Sequence, residues 1–259
     1  MFVRVTGILI VVGLLLPIGV TVVVAFNSSG FLLPPSGFTL RWFEKAVRNR
    51  DFVQGFYVSL AVATVASLIA TGLGLLSAFG YVRYSFPGKD WVNLLFLSPL
   101  MVPVVVLGLA LYSYFVALHL NDTLTALVIG HAITLIPLSF RTITASLYNF
   151  DVSMEEAALN VGASRIQTFA WITFPIIKLG ILAGFILSFI MSWNNFSISL
   201  FLAGSKYVPL PVAIYSYIKF EFDAVAAAVS TILILLSGVA IFVIDRTMGL
   251  GAVMGVRKG

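Results

Sequence analysis

The sequence predicts an all-α membrane protein with six transmembrane helices, and three observations carry the prediction. Hydrophobic residues make up 60% of the 259 and charged residues only 10%, whereas a soluble domain holds about 45–50% apolar and about 25% charged residues. Six stretches reach or approach the roughly 20 apolar residues that a helix needs to cross a hydrocarbon core about 30 Å thick. The 15 Lys and Arg are scattered between those stretches instead of forming one basic patch. With mean hydropathy at +1.09, too few ionisable groups remain to cover a water-facing surface. An ordinary soluble enzyme, a disordered chain and a nucleic-acid binder are excluded, despite a pI near 9.6.

The spans follow in order. Gly7–Phe26 reads as a retained signal-anchor, because it exceeds the usual secretory apolar region of about 7–15 residues and no small-x-small cleavage pattern precedes Asn27. In the segment after it, Phe38, Trp42, Phe43, Ala46 and Val47 recur at helical spacing among Arg41, Glu44, Lys45 and Arg48. That pattern suits a short helix lying in the interface with Trp42 at headgroup depth; a solvated loop with incidental aromatics is the alternative. The second span is Phe56–Tyr81, where Gly72 and Gly74 read as close helix packing. The third is Val92–Leu118, with Pro99 and Pro103 inside it. The fourth, Leu124–Phe140, is short for a full crossing. Leu179–Phe201 and Ala224–Ile244 complete the set. Gly180 and Gly184 form a small-xxx-small pair that lets another helix approach. Glu221 and Asp223, at the edge of the sixth span, read as solvated.

Alternating sides carry unequal basic charge. Arg4, Arg83, Lys89, Arg141, Arg165, Lys178, Arg246, Arg257 and Lys258 fall on one side, and Arg41, Lys45, Arg48, Arg50, Lys206 and Lys219 on the other. This bias predicts that both termini are cytoplasmic.

Between the fourth and fifth spans, Asp151 to Pro175 reads as helix, hinge, helix. Ser153 with Glu156 has capping-box spacing, as does Ser164 with Gln167. Gly162 between them permits a turn, and Pro175 breaks or bends the second helix. Ala157, Ala158, Val161, Ile166 and Phe169 give these helices apolar surface to bury, which an inert linker does not need.

This segment resembles the EAA loop of permease subunits of type I ABC importers: E-A-A, three residues, G, nine residues, I-x-L-P. Glu156-Ala157-Ala158, Gly162, Ile172 and Pro175 stand at those spacings, with Phe174 for the usual Leu and Lys178-Leu179-Gly180 where a second proline often occurs. The resemblance extends over residues 55–245. Leu97–Pro103 is similar to the proline-containing core helix, Ser192-Trp193-Asn194-Asn195-Phe196 to a serine–aromatic–acidic–aromatic stretch, and Pro209–Tyr215 to a signature of the spermidine/putrescine-type subgroup. It implies an all-α fold with a five-helix type I ABC importer permease core at 55–245, an N-terminal helix and outer segment at 1–54, and a cytoplasmic tail at 246–259. It also implies a role in coupling to an ATPase for Glu155, Glu156, Ala157, Ala158, Gly162, Ala163, Ser164, Phe169 and Pro175.

The same resemblance implies partners: two ABC ATPase subunits that bind ATP and Mg, a second related permease more often different than identical, a periplasmic solute-binding protein, and the bilayer of a bacterial inner membrane. The expected solute is small and organic, polyamine-like, opine or other; Asn194 and Asn195 stand where acids are common, so this site does not support a polycation.

Chemistry of other kinds is absent from the sequence. No G-x-x-x-x-G-K-[ST] loop and no H-E-x-x-H or other metal-ligand spacing occurs, and cysteine is missing. No cofactor is expected in this chain itself. Three glycosylation triplets, at Asn27, Asn121 and Asn195, have the weight of chance matches. Polar groups at bilayer depth remain as candidates for the translocation pathway: Ser192, Asn194, Asn195 and His131, with Pro99 and Pro103, whose freed carbonyls need a cavity or a protein partner. For His131 and the asparagines, interhelical bonding stands as the alternative. A self-sufficient secondary transporter would be expected to show inverted repeats or buried carboxylates along a pathway. A non-transporting scaffold would leave the helical loop unexplained.

Overall fold

The computed structural model describes residues 2–30, 34–221 and 223–248, without the side chains of 2–4, 8 and 240–248. Arg257 and Lys258, most of the tail at 246–259, and the side chains of Arg4 and Arg246 lie outside the described residues. The helices are α1 Phe2–Phe26, α2 Arg41–Arg48, α3 Arg50–Arg83, α4 Lys89–Met101, α5 Val104–Ala117, α6 Leu124–Tyr148, α7 Ser153–Asn160, α8 Arg165–Thr168, α9 Phe174–Trp193, α10 Phe196–Leu202, α11 Leu210–Phe220 and α12 Val225–Met248. A π-helical turn, Phe169–Thr173, joins α8 to α9.

Among the described residues, four helices are long and apolar enough to cross a membrane: Val5–Phe26, Arg50–Arg83, Leu124–Tyr148 and Arg165–Trp193. The pair α4–α5, bent by 100°, makes a fifth span if it is counted as one. The sixth expected span falls on α12, whose described apolar stretch is Val225–Val239. The chain forms two compact units, one from Met1–Gly55 with Val212–Gly259 and one from Phe56–Pro211.

In the first unit α1 packs along α12, and both meet α2. Asn27 closes the turn after α1. Its side chain donates to the Gly30 carbonyl at 2.9 Å and accepts from the backbone N–H groups of Ser29 and Ser36. The short helix expected here forms as α2, and Trp42 turns into the unit. Its ring is buried, its Nε1 donates to the Asn27 carbonyl at 2.8 Å, and the Arg41 guanidinium covers it at 4.1 Å. The indole N–H found a carbonyl inside the fold, where a buried donor must. Asp223 is likewise more than a solvated edge. It accepts from Lys45 at 3.3 Å, from the Tyr217 hydroxyl at 3.0 Å and from the Val225 N–H at 3.1 Å.

Four spans differ from their expected limits for identifiable reasons. α3 starts at Arg50, six residues before the apolar run, because the Asn49 carboxamide accepts from the Asp51 and Phe52 N–H groups. The third span is not straight. Proline at 103 lacks an N–H and drives Val102 to φ −89°, ψ 132°, which ends α4. Pro99, by contrast, stays inside α4, where the Ser98 hydroxyl bonds the Leu95 carbonyl that the proline leaves free. α6 runs on past Phe140 to Tyr148, because helix hydrogen bonding continues through Arg141 while its side chain stays exposed. The fifth span begins early, at Arg165, and ends at Trp193. Pro175 does not break it; the wider π-helical turn just before the proline carries the helix through.

The second unit is built on α6. Above and below a polar middle lie two apolar clusters. One joins Val62 and Ala66 of α3, Phe115 of α5, Leu127 of α6 and Ile198 of α10; the other joins Ala78, Phe140, Ile143, Leu147 and Ile177. Between them α6 and α9 approach on small residues. A methyl on Gly180 would run into the Ser146 side chain, and one on Gly74 of α3 would lie 2.8 Å from the Ser139 Cβ and 3.0 Å from the Phe140 nitrogen. Gly72, its expected companion, faces open space.

Candidate functional site: the helical loop at Asp151–Pro175

α7 is closed at both ends by its own neighbours. At its start the expected Ser153 capping box does not form. Ser153 is already helical, and the Asp151 carboxylate accepts its N–H at 3.0 Å. That bond, followed by one from the Ser153 hydroxyl, holds the Asp151 carboxyl below its ordinary pKa. At its end Gly162 takes φ +93°, and the N–H groups of Ala163 and Gly162 reach back to the carbonyls of Ala158 and Leu159. These are the paired bonds of a Schellman motif, which needs a residue in the left-handed region after the helix. The second expected capping box is present: Ser164 accepts from the Gln167 N–H at 3.3 Å and Gln167 accepts from the Ser164 N–H at 2.8 Å.

The apolar residues that seemed to need burial divide. Ala158 is buried and Phe169 half-buried, its ring edge-on to Phe79 at 5.5 Å. Ala157 is exposed, Val161 is 85% exposed and Ile166 81%. Glu156 and Ser164 are exposed, Ala163 is half-buried and Pro175 is exposed. The loop therefore presents an apolar, locally rigid surface that none of the described residues covers. Such surfaces mark interaction sites.

Glu155 faces the other way. Its Oε1 accepts from Arg83 Nη2 at 3.0 Å and from the Thr173 hydroxyl at 2.6 Å, and Arg83 Nε lies 2.9 Å from Oε2, outside hydrogen-bond alignment. Both charged side chains are about nine-tenths buried, at 11% and 12% exposure, and the guanidinium lies over the Phe150 ring at 5.2 Å. One flank of the pair opens on a cleft of about 560 Å³ lined by Leu75, Phe79, Tyr84, Arg165 and Phe169. Sequence reasoning singled out Glu155 but not Arg83 or Thr173; Arg83 entered only as one charge in the side count. A partner 72 residues away leaves no local signal.

The membrane candidates also separate. His131 is 1% exposed, with Nδ1 at 2.7 Å from the Ser192 hydroxyl and Nε2 at 3.2 Å from that of Ser199. Ser192 is buried in the same contact. Both side chains are thus engaged in bonds between helices. Asn195 caps α10 by accepting from the Ile198 N–H at 3.1 Å. Asn194 ends α9 with its side chain exposed, donating to the Ile190 carbonyl at 2.9 Å. Pro103 is exposed beside Met101, itself 75% exposed, and Pro99 is half-buried.

Residues 70–249 match the family of binding-protein-dependent transport system inner membrane components. The chain belongs to that family. It is 32% identical to the spermidine/putrescine transport system permease protein PotC of Shigella flexneri over 92% of each chain. It is 27% identical to the putrescine transport system permease protein PotI of Escherichia coli (strain K12), over 88% of this chain and 83% of that one. Among solved structures, a chain of a bacterial ABC transporter involved in the import of alginate superposes with a TM-score of 0.74 at 15% identity, covering 95% of this chain and 96% of that one. That likeness concerns the fold. The chain is thus a membrane transport subunit, an ABC importer permease.

Proposed function

We propose that this permease forms half of the translocation pathway of an ATP-driven importer in a bacterial cytoplasmic membrane. The observation that carries the reading is the loop: a helix closed at both ends, with Glu156, Ala157, Val161 and Ile166 exposed, at the spacing of the EAA motif. α7 and α8 dock on an ABC ATPase, which holds ATP and Mg and supplies the work. A second, related permease completes the pathway, a second ATPase completes the pair, and a periplasmic binding protein delivers the solute. The loop side is cytoplasmic, with both termini, as the basic residues suggest. The break between α4 and α5 supports a place on the pathway for Met101 and Pro103, since exposed non-helical backbone at membrane depth is tolerated against protein or a water-filled cavity and not against lipid; Pro99, one turn earlier inside α4, is assigned there with them. The exposed Asn194 at the α9–α10 break is assigned there on the same ground.

The solute is a small organic molecule, and the PotC and PotI relatives favour a polyamine, although Asn194 and Asn195 offer it no carboxylate. Uptake of radiolabelled spermidine and putrescine, with sulfate as the control, tests that choice in cells expressing the full complement of subunits. The coupling role is tested separately. Copurification of the ATPase with the wild-type chain, and its loss together with uptake in Gly162→Asp, is the expected result. Wild-type assembly and uptake in that variant would refute the assignment.

A further inference from the structure

We infer that Arg83, Glu155 and Thr173 form a clamp that transmits movement of the docking helix α7 into α3 and α9. The inference rests on the coupling role proposed above and adds the intramolecular path by which the loop acts on the spans.

The clamp is not needed to build the loop. α7 is closed by Asp151 at one end and by the Gly162 turn at the other, and α8 has its own capping box. None of these bonds involves Arg83 or Thr173. What the clamp adds is orientation. One carboxylate joins three elements: α7 supplies Glu155, the last residue of α3 supplies Arg83 at 2.9 and 3.0 Å, and the π-helical turn leading into α9 supplies the Thr173 hydroxyl at 2.6 Å. Thr173 is 1% exposed and can turn its hydroxyl to the carboxylate from inside the turn. A buried ion pair contributes little net stability, because desolvation offsets the attraction, yet it tolerates few geometries. A second, weaker link lies beside it, where Arg165 of α8 is 3.5 Å from the Tyr84 hydroxyl just past the end of α3.

The mechanical consequence follows from length. α3 has 34 residues, about 50 Å at 1.5 Å per residue, so a small rotation imposed at Arg83 is carried along a rigid rod. α9 enters the seam with α6 directly after the π-helical turn. A push on α7 thus reaches two spans through one carboxylate, and no other charged contact among the described residues joins α7 to a span.

The test uses the cysteine content of 0. A single Met101→Cys places a reporter thiol at the exposed α4–α5 break, and the chain is expressed with its ATPases and second permease in membrane vesicles. The rate of thiol labelling by a water-soluble maleimide is compared with and without ATP plus orthovanadate. The parent is expected to change its labelling rate by about fivefold or more, the low end of usual coupling factors. Thr173→Val, which keeps both charges and the helix, is expected to reduce that change below about twofold while ATPase retention stays at the parent level; Arg83→Gln and Glu155→Gln do the same where they accumulate. The exchange Arg83→Glu with Glu155→Arg recovers part of the response. A parent-like response in Thr173→Val overturns the clamp, as does an exchange that does no better than the single changes. Loss of ATPase retention in the variants also overturns it, by making the pair part of the docking pose. A parent that binds its ATPase but shows no ATP-dependent change would instead remove the coupling reading, and the clamp with it.

Discussion

The seam between α6 and α9 and the loop at Asp151–Pro175 use similar residues to opposite ends. Both are rich in Ser, Ala and Gly, but the seam pairs its hydroxyls across helices, whereas the loop caps its short helices with their own neighbours. In the seam, Ser139 meets Ser188 at 2.8 Å and lies 3.5 Å from Thr71, while His131 bridges Ser192 and Ser199. Small side chains there let backbones close on one another, and the seam is finished within one chain. In the loop, small residues sharpen a turn and leave Val161 and Ile166 outside. Closure in one place and incompleteness in the other distinguish a finished structural contact from an open apolar surface.

The contrast predicts where substitutions act. Gly74→Leu should have the largest effect, since the added side chain meets the Ser139 and Phe140 backbone; overpacking of about 3 kcal/mol should lower the Tm in detergent and the amount of protein in the membrane. Ile166→Asp should leave Tm unchanged and abolish ATPase copurification, by analogy with loss of an interface anchor worth about 2 kcal/mol; a fall in Tm with retained copurification would erase the distinction. His131→Ala leaves two buried hydroxyls without their partner, at a cost of about 1–3 kcal/mol, measurable as a Tm shift with ATPase retention intact. The smallest effect is that of Asp151→Asn. The Asp151 carboxyl is held below its ordinary pKa by the Ser153 N–H. Its contribution to the α7 N-terminus is therefore present above that ordinary value and lost as pH falls through the lowered one. Amide-exchange protection of α7, corrected for intrinsic rates, should differ between wild type and variant at neutral pH and converge in acid.

Much of this was legible before the fold. The apolar runs marked the spans, because helix hydrogen bonds are local and a hydrocarbon core demands length. The Ser164–Gln167 box and the turn at Gly162 were legible for the same reason: each is closed by residues no more than five apart. The Ser153 box misled because Asp151, two residues earlier, competes for the same N–H and wins. Pro103 read as a residue inside a span and Pro175 as a helix breaker, yet Pro103 ends a helix and Pro175 is carried through by a π-helical turn. A proline ends a helix where the residue before it turns extended, as Val102 does, and is carried through where the turn before it widens.

Composition and spacing alone therefore determined the class, the approximate spans and the helix–hinge–helix form of the loop at Asp151–Pro175. Tertiary structure alone decided which face of that loop is left open, how Trp42 and Asp223 are used, and that Glu155 turns inward to Arg83 and Thr173. The reason is physical. A buried charge or indole N–H must find a partner, and in a helical membrane protein that partner lies on another element, at a sequence distance that no local pattern records.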